Sequence, residues 1–200
     1  MTFKNCMEKI GYAATPRIGL AGLLGALCLG MVACSPSTND NADAGDSSST
    51  EQGRIAIAEL SPASGSDVSG TVTFVEESDG IRVIADVQGI SPGPHGFHIH
   101  ENGDCSAADA TSAGGHFNPT GAPHSGPDAA KRHVGDLGNL DVAQNETASY
   151  ERVDTHLSFD GATSIIGKAV IIHAARDDLE TQPTGAAGER IACGVIRYDS

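Results

Sequence analysis

Residues 98–136 read HIHENGDCSAADATSAGGHFNPTGAPHSGPDAAKRHVGD. The stretch opens on His98 and His100, spaced i, i+2, which on a strand places both imidazoles on one face and turns Phe97 and Ile99 to the other. It then runs through a segment too rich in Gly, Ala, Ser and Pro for long regular structure. That segment carries three more histidines, His116, His124 and His133, and closes on Asp136. Loops beyond roughly 12–15 residues are uncommon in compact domains and are usually functional or disordered. Metal is the physical reason to expect order here. A histidine pair on one strand face is a platform for copper or zinc, and three imidazoles with a carboxylate suit a tetrahedral zinc shell. Pro119, Pro123 and Pro127, with Gly114, Gly115, Gly121, Gly126 and Gly135, shape turns between the ligands, unlike a homopolymeric metal-buffering tract. His173, on an apolar run downstream, is expected to close the site.

Outward from this stretch the hydrophobic period is two. Ile55 and Ile57 alternate with Ala56 and Ala58, and Val72 and Phe74 with Thr71 and Thr73. Ile81, Val83, Ala85 and Val87 form one face, while Arg82, Asp86 and Gln88 point away. Asp79-Gly80 between the last two runs is a hairpin signal. Further runs cover 137–142, 148–153, 165–174 and 191–198. No segment has the 3.6-residue period of an amphipathic helix. About eight short strands with Gly and Pro turns predict an antiparallel sandwich or barrel. Aromatic residues make up 4% of the chain and Trp is absent, so the core must be built of small aliphatic side chains, with metal and a disulfide supplying much of the stability.

The first 33 residues do not belong to that domain. Lys4, Lys9 and Arg17 make a positive start, and the apolar run 18–31 is shorter than the about 20 residues a spanning helix needs, which suits a secretory signal. Met31-Val32-Ala33-Cys34 resembles the lipobox of bacterial lipoproteins, with Met31 in place of the usual Leu. That resemblance implies cleavage before Cys34 and lipidation of its thiol; ordinary cleavage near Ala33 is the alternative. Ser35 stands where an Asp often signals inner-membrane retention, which favours the outer membrane. The expected location is the periplasmic face of a bacterial membrane. Residues 34–53 lack any large hydrophobe and are expected to be a disordered tether, with the folded domain over 54–200.

Of five cysteines, Cys6 and Cys28 fall in the leader and Cys34 would carry the lipid. Cys105 and Cys193 remain as one pair in an exported chain, so a disulfide between them is the default. The whole chain has 12 basic and 26 acidic residues. Removing Lys4, Lys9, Arg17 and Glu8 leaves 9 and 25 over residues 34–200, a net charge of −16 with histidine neutral. That balance excludes nucleic acid as a partner and excludes a polybasic membrane patch, so membrane attachment must come from the lipid at Cys34.

Five pieces of the chain, GFHIHENGDC (96–105), GGHFNP (114–119), RHVGDLGN (132–139), IIHAARDDL (171–179) and GERIACGVI (188–196), resemble the copper/zinc superoxide dismutases in order and spacing. The resemblance covers about 54–198. It implies an all-β fold, an eight-stranded antiparallel Greek-key sandwich or flattened barrel with long metal-binding loops. It implies copper on His98, His100, His116 and His173, and zinc on His116, His124, His133 and Asp136, with the deprotonated ring of His116 bridging the two. It implies that Asp177 is the outer carboxylate linking a copper histidine to a zinc histidine, and that Arg190 is the guanidinium holding an anion beside copper. His95 matches a structural position and His156 matches no ligand. The implied reaction is disproportionation of superoxide to dioxygen and hydrogen peroxide, with His116 and Arg190 as the catalytic groups. A non-enzymatic copper/zinc carrier on the same fold is the alternative; an adhesion-type immunoglobulin-like module would leave the metal ligands unexplained. A homodimer is possible, since the family contains dimers and monomers. Loop 177–189 holds no Lys or Arg, so steering of an anionic substrate is expected to rest on Arg190 and the metals, helped by one or more of Lys131, Arg132 and Arg176.

Overall fold

The computed structural model describes residues 53–199. The leader 1–33, the lipidation position Cys34 and nearly all of the tether lie outside the described residues. Among the described residues nine strands form: β1 (Ile55–Pro62), β2 (Ser69–Glu77), β3 (Gly80–Gln88), β4 (Gly93–His100), β5 (Asp136–Val142), β6 (Thr147–Asp154), β7 (Ala169–His173), β8 (Arg190–Val195) and the two-residue β9 (Arg197–Tyr198). Their order is β5-β4-β7-β8-β1-β2-β3-β6, with β9 beside β1. Every strand pairing is antiparallel. The ends of that order approach each other, and Tyr150 Oη on β6 donates to the Leu137 carbonyl on β5 at 3.1 Å. The eight longer strands thus make a nearly closed all-β barrel.

The alternation in the sequence does what it predicts. Ile81, Val83, Ala85 and Val87 on β3 are buried together with Val72 and Phe74 on β2, and Glu77 faces Gly80 across the Asp79-Gly80 turn. On β1 the small Ala56 and Ala58 turn inward and the isoleucines are half-buried outside, consistent with an interior where Phe74 and Phe97 already fill the space. Two runs are shorter than expected. In 165–174 only Ala169–His173 is strand, because Lys168 N–H bonds back to Ile165 O at 3.1 Å and makes a turn of apolar residues. The C-terminal run breaks at Ile196, whose N–H bonds Lys168 O at 2.9 Å.

On β4 the pattern leaves both faces buried: Phe97 and Ile99 in the barrel core, His98 and His100 beneath the loop that follows. That loop is stitched to β4 by its backbone. Phe117 N–H bonds Ile99 O at 2.8 Å, Ile99 N–H bonds Gly135 O at 2.9 Å, and Gly135 N–H bonds Phe117 O at 3.0 Å. A Cβ at Gly135 would collide with the Ile99 carbonyl, so only glycine allows this approach. Farther along, Ala110 and Ala113 pack with Ala63, Ala169, Ile171 and Cys193 in a separate small cluster on the outer side of β7 and β8. The Cys105–Cys193 disulfide is formed there and closes 88 residues of chain.

Candidate metal centre

Two sets of donor atoms converge under the loop, each within 4.8 Å: His98, His100, His116 and His173, and His116, His124, His133 and Asp136. All seven side chains are buried. β4 supplies His98 and His100, and β7 supplies His173. The loop supplies His116, His124 and His133, and Asp136 is the first residue of β5. His116 is brought to β4 by an isolated bridge to His100. Every metal ligand that the sequence predicts is therefore in one of the two groups, and His116 is in both.

In the first group the outer hydrogen bonds select which nitrogen faces inward. His100 Nδ1 donates to Gly114 O at 2.9 Å and His173 Nδ1 to Gly188 O at 3.1 Å. Their Nε2 atoms lie 3.4 Å apart. His98 Nε2 lies 2.7 Å from Asp177 Oδ2, which leaves Nδ1 inward. His98 Nδ1 and His116 Nε2 are buried without any partner. Buried polar atoms are nearly always paired, so two orphaned nitrogens on rings 4.1 Å apart fit a cation and little else.

In the second group Asp136 is the hub. Its Oδ1 lies 2.9 Å from His116 Nδ1, 3.0 Å from His124 Nδ1 and 3.2 Å from His133 Nδ1. Its Oδ2 accepts the backbone N–H groups of Ser125 and His133 at 3.1 and 2.9 Å. Three nitrogens and a carboxylate at this spacing are a zinc-type donor set. Asp177 joins the groups, taking His98 on Oδ2 and His124 Nε2 on Oδ1 at 3.0 Å. Asn139 clamps Asp177 through its backbone N–H and C=O at 2.8 and 3.0 Å.

Arg190 faces His173 across the β7–β8 pair. Its guanidinium donates to Ala110 O and Gly114 O, both at 2.7 Å. Gly114 O thus holds both Arg190 and His100. His95 donates from Nδ1 to the His173 carbonyl at 2.9 Å, the structural place the sequence reading gave it. His156 is half-exposed beside Asp154 and enters neither group. Arg132 is not at the mouth. It is 3% exposed, paired with buried Asp154 at 2.5 and 2.6 Å, and donates to the carbonyls of His133, Val134 and Asp136. A guanidinium spent on those partners cannot steer an anion, so the steering role expected of it is withdrawn; Lys131 and Arg176 are exposed. Sequence reading also missed Asn139 and Gln182, whose amides each grip a site residue's backbone. Asn139 lies inside RHVGDLGN, but nothing in the spacing marks either residue.

Electrostatics divides the two groups. Burial pushes His98 down to about 4 against its bond to Asp177, pushes His173 down to about 3, and holds His100 well below the ordinary value. These rings are neutral at pH 7 and present lone pairs. His124 goes the other way: burial lowers it, but the bonds to Asp136 and Asp177 prevail and raise it to about 9. Without metal, His124 keeps its proton below that pH, and an ion on Nδ1 must displace it. Apparent zinc affinity of the metal-free protein is therefore expected to rise with pH and to level off near 9. Chelator-competition titrations check this; a zinc affinity independent of pH between 6 and 8 would refute it.

Residues 68–196 match the family described as copper/zinc superoxide dismutase. Over 138 residues the chain is 47% identical to a superoxide dismutase [Cu-Zn] of Paramecium bursaria Chlorella virus 1, covering 66% of this chain and 73% of that protein. A crystal structure of the clock protein EA4 is similar with a TM-score of 0.67 and 40% identity, covering 73% of this chain and 95% of that one.

Proposed function

Because the chain belongs to the copper/zinc superoxide dismutase family and is a superoxide dismutase that uses copper and zinc, we propose that its two donor groups divide the metals between them. His98, His100, His116 and His173 hold copper; His116, His124, His133 and Asp136 hold zinc; and His116 bridges the two as an imidazolate. The observation that carries this is the His116 ring itself. Its Nδ1 lies against Asp136 while its buried Nε2 has no partner. A ring loses its second proton readily only when a cation sits at each nitrogen.

Copper, when bound, supplies the one-electron exchange by which two superoxide anions and two protons become dioxygen and hydrogen peroxide, and zinc supplies a fixed second charge. The rest is done by side chains of this chain. His116 Nε2 is the atom that can hold a proton beside the reacting anion. Asp177 keeps His98 and His124 in single tautomers, as outer partners of metal ligands do. Arg190 presents a fixed positive charge to the anion; it is pinned by two carbonyls, so no rearrangement is needed when substrate arrives. Retention of Arg190 and of all seven donors weighs against a mere metal carrier. Metal analysis of purified protein beside a superoxide-consumption assay tests the reading. One copper and one zinc per chain with activity is expected; activity without zinc in the His124 group, or metal without activity, would overturn it.

Arg190→Leu is expected to lower kcat/KM by about 10- to 100-fold. A charge pair near 4 Å is worth at most about 4 kcal/mol at surface-like dielectric, and partial exposure screens it. Arg190→Lys should retain more activity, because it keeps the charge and loses only the two-point seat. An unchanged rate with unchanged salt dependence in the Leu variant would remove Arg190 from the mechanism.

Export and lipidation at Cys34 complete the reading, supported by the leader composition and by a net charge of −16 that offers no electrostatic membrane attachment. Cys34→Ser is expected to move the protein from the membrane fraction to the soluble periplasmic fraction; an unchanged distribution would refute the anchor.

A further inference from the structure

Loop 178–189 reaches the second donor group at a residue that is not a ligand. The Gln182 carboxamide grips the backbone of His124 at both ends: Oε1 accepts the His124 N–H at 2.7 Å, and Nε2 donates to the His124 carbonyl at 2.8 Å. The same Nε2 donates to Glu180 O at 3.0 Å, which fixes the amide to its own loop. His124 lies in a segment without helix or strand, so its backbone has no ladder to hold it. The Gln182 amide supplies the pair of bonds that a neighbouring strand would supply.

The loop also meets His124 from the ring side. A Cβ at Gly185 would overlap Asp177 Oδ1 and come within 2.7 Å of His124 Nε2, and Gly185 has φ +66°. Gly185 is folded into place by Asp178 N–H to Gly185 O at 2.9 Å and Gly185 N–H to Thr181 O at 2.7 Å. Thr181 N–H is held in turn by Asp178 Oδ1 at 2.8 Å. The fold of the loop and the backbone of His124 are therefore held by one connected set of hydrogen bonds.

We propose that Gln182 is a positioning residue for the metal held at His124, and that it links ordering of loop 178–189 to occupancy of that site. The linkage runs both ways: an ion at His124 stabilises the closed loop, and the closed loop raises affinity for the ion by the same factor. This rests on the metal assignment made above. Of the nearest charge-bearing loop residues, all exposed, Asp178 serves the clamp through its carboxylate on Thr181 N–H and Glu180 through its carbonyl on the Gln182 amide, and Glu189 takes no part in it.

The test uses the full chain and two substitutions at an exposed position, so the core is left intact. Gln182→Met keeps length and removes both bonds; Gln182→Glu keeps an acceptor for the His124 N–H and loses the donor to its carbonyl. Zn(II) affinity is measured by chelator competition and Cu(II) affinity of the first group separately. Co(II) in the second group gives a visible spectrum, and hydrogen exchange reports on 178–189. For Gln182→Met we expect zinc affinity to fall about 10- to 100-fold, in the range typical of outer partners, with copper affinity within about twofold. The Co(II) bands should shift, and 178–189 should exchange faster even when zinc is bound. The Glu variant should fall between the Met variant and the parent. Zinc affinity within about twofold of the parent in the Met variant overturns the proposal, as does a parallel loss of both metals, which would mean general loosening. If the parent chain itself takes up no zinc at the His124 group, the metal assignment fails before Gln182 is in question.

Discussion

Asp154→Ala is expected to cost about 3–5 kcal/mol of stability in the metal-free protein, the range seen when one member of a buried ion pair is removed. Arg132 and Asp154 are both essentially inaccessible and paired through two short bonds. Removing the carboxylate strands a guanidinium that cannot reach water. The loss spreads to the metal loop, because the same guanidinium holds the carbonyls of His133, Val134 and Asp136. Denaturant unfolding monitored at neutral pH measures it. Arg132→Met combined with Asp154→Leu is expected to recover most of the loss, since an apolar pair of similar volume is often no worse than the ions it replaces. A loss under about 1 kcal/mol in Asp154→Ala would mean that the charge finds solvent or another partner.

Asp136→Ala is expected to weaken zinc binding by more than the about 100-fold that marks the upper end for outer partners, because the proposed ligand is also the hub of the group. Asp136 Oδ1 is the common neighbour of three imidazoles, and Oδ2 anchors the N–H groups of Ser125 and His133. Copper should still bind through His98, His100 and His173. The protonated state of His124 should also become less favoured, since one of the two carboxylates that raise it to about 9 is lost. Metal-competition titration decides the matter; zinc affinity within about tenfold of the parent would place the second metal elsewhere.

Asp136 and Asp154 differ in how far sequence alone specifies them. Asp136 was legible because its neighbours in sequence and the spacing of His116, His124 and His133 specify a chemistry. The strands were legible because period-two alternation at β2 and β3 has one physical cause, a sheet with a buried face. Asp154 and the destination of Arg132 were not legible. A guanidinium beside His133 reads as a mouth residue until a carboxylate 22 positions away is found to bury it. Gln182 and Asn139 were hidden for the same reason: a side-chain amide that binds backbone leaves no pattern in spacing. Strand ends are not legible at Ile165 and Ile196, where apolar residues lie outside the strands and are buried there just as they would be on a strand.

The chemistry proposed for the site depends on one ring serving two ions. The most direct test loads copper into the first group and paramagnetic Co(II) into the second, and records the Cu(II) electron paramagnetic resonance signal. Two spins joined by a shared imidazolate couple, so with His116 as the bridge the Cu(II) signal is predicted to collapse in the mixed-metal protein and to persist at full strength in the copper-only protein. A full, unperturbed Cu(II) signal with both metals present in equal amount would contradict the bridge.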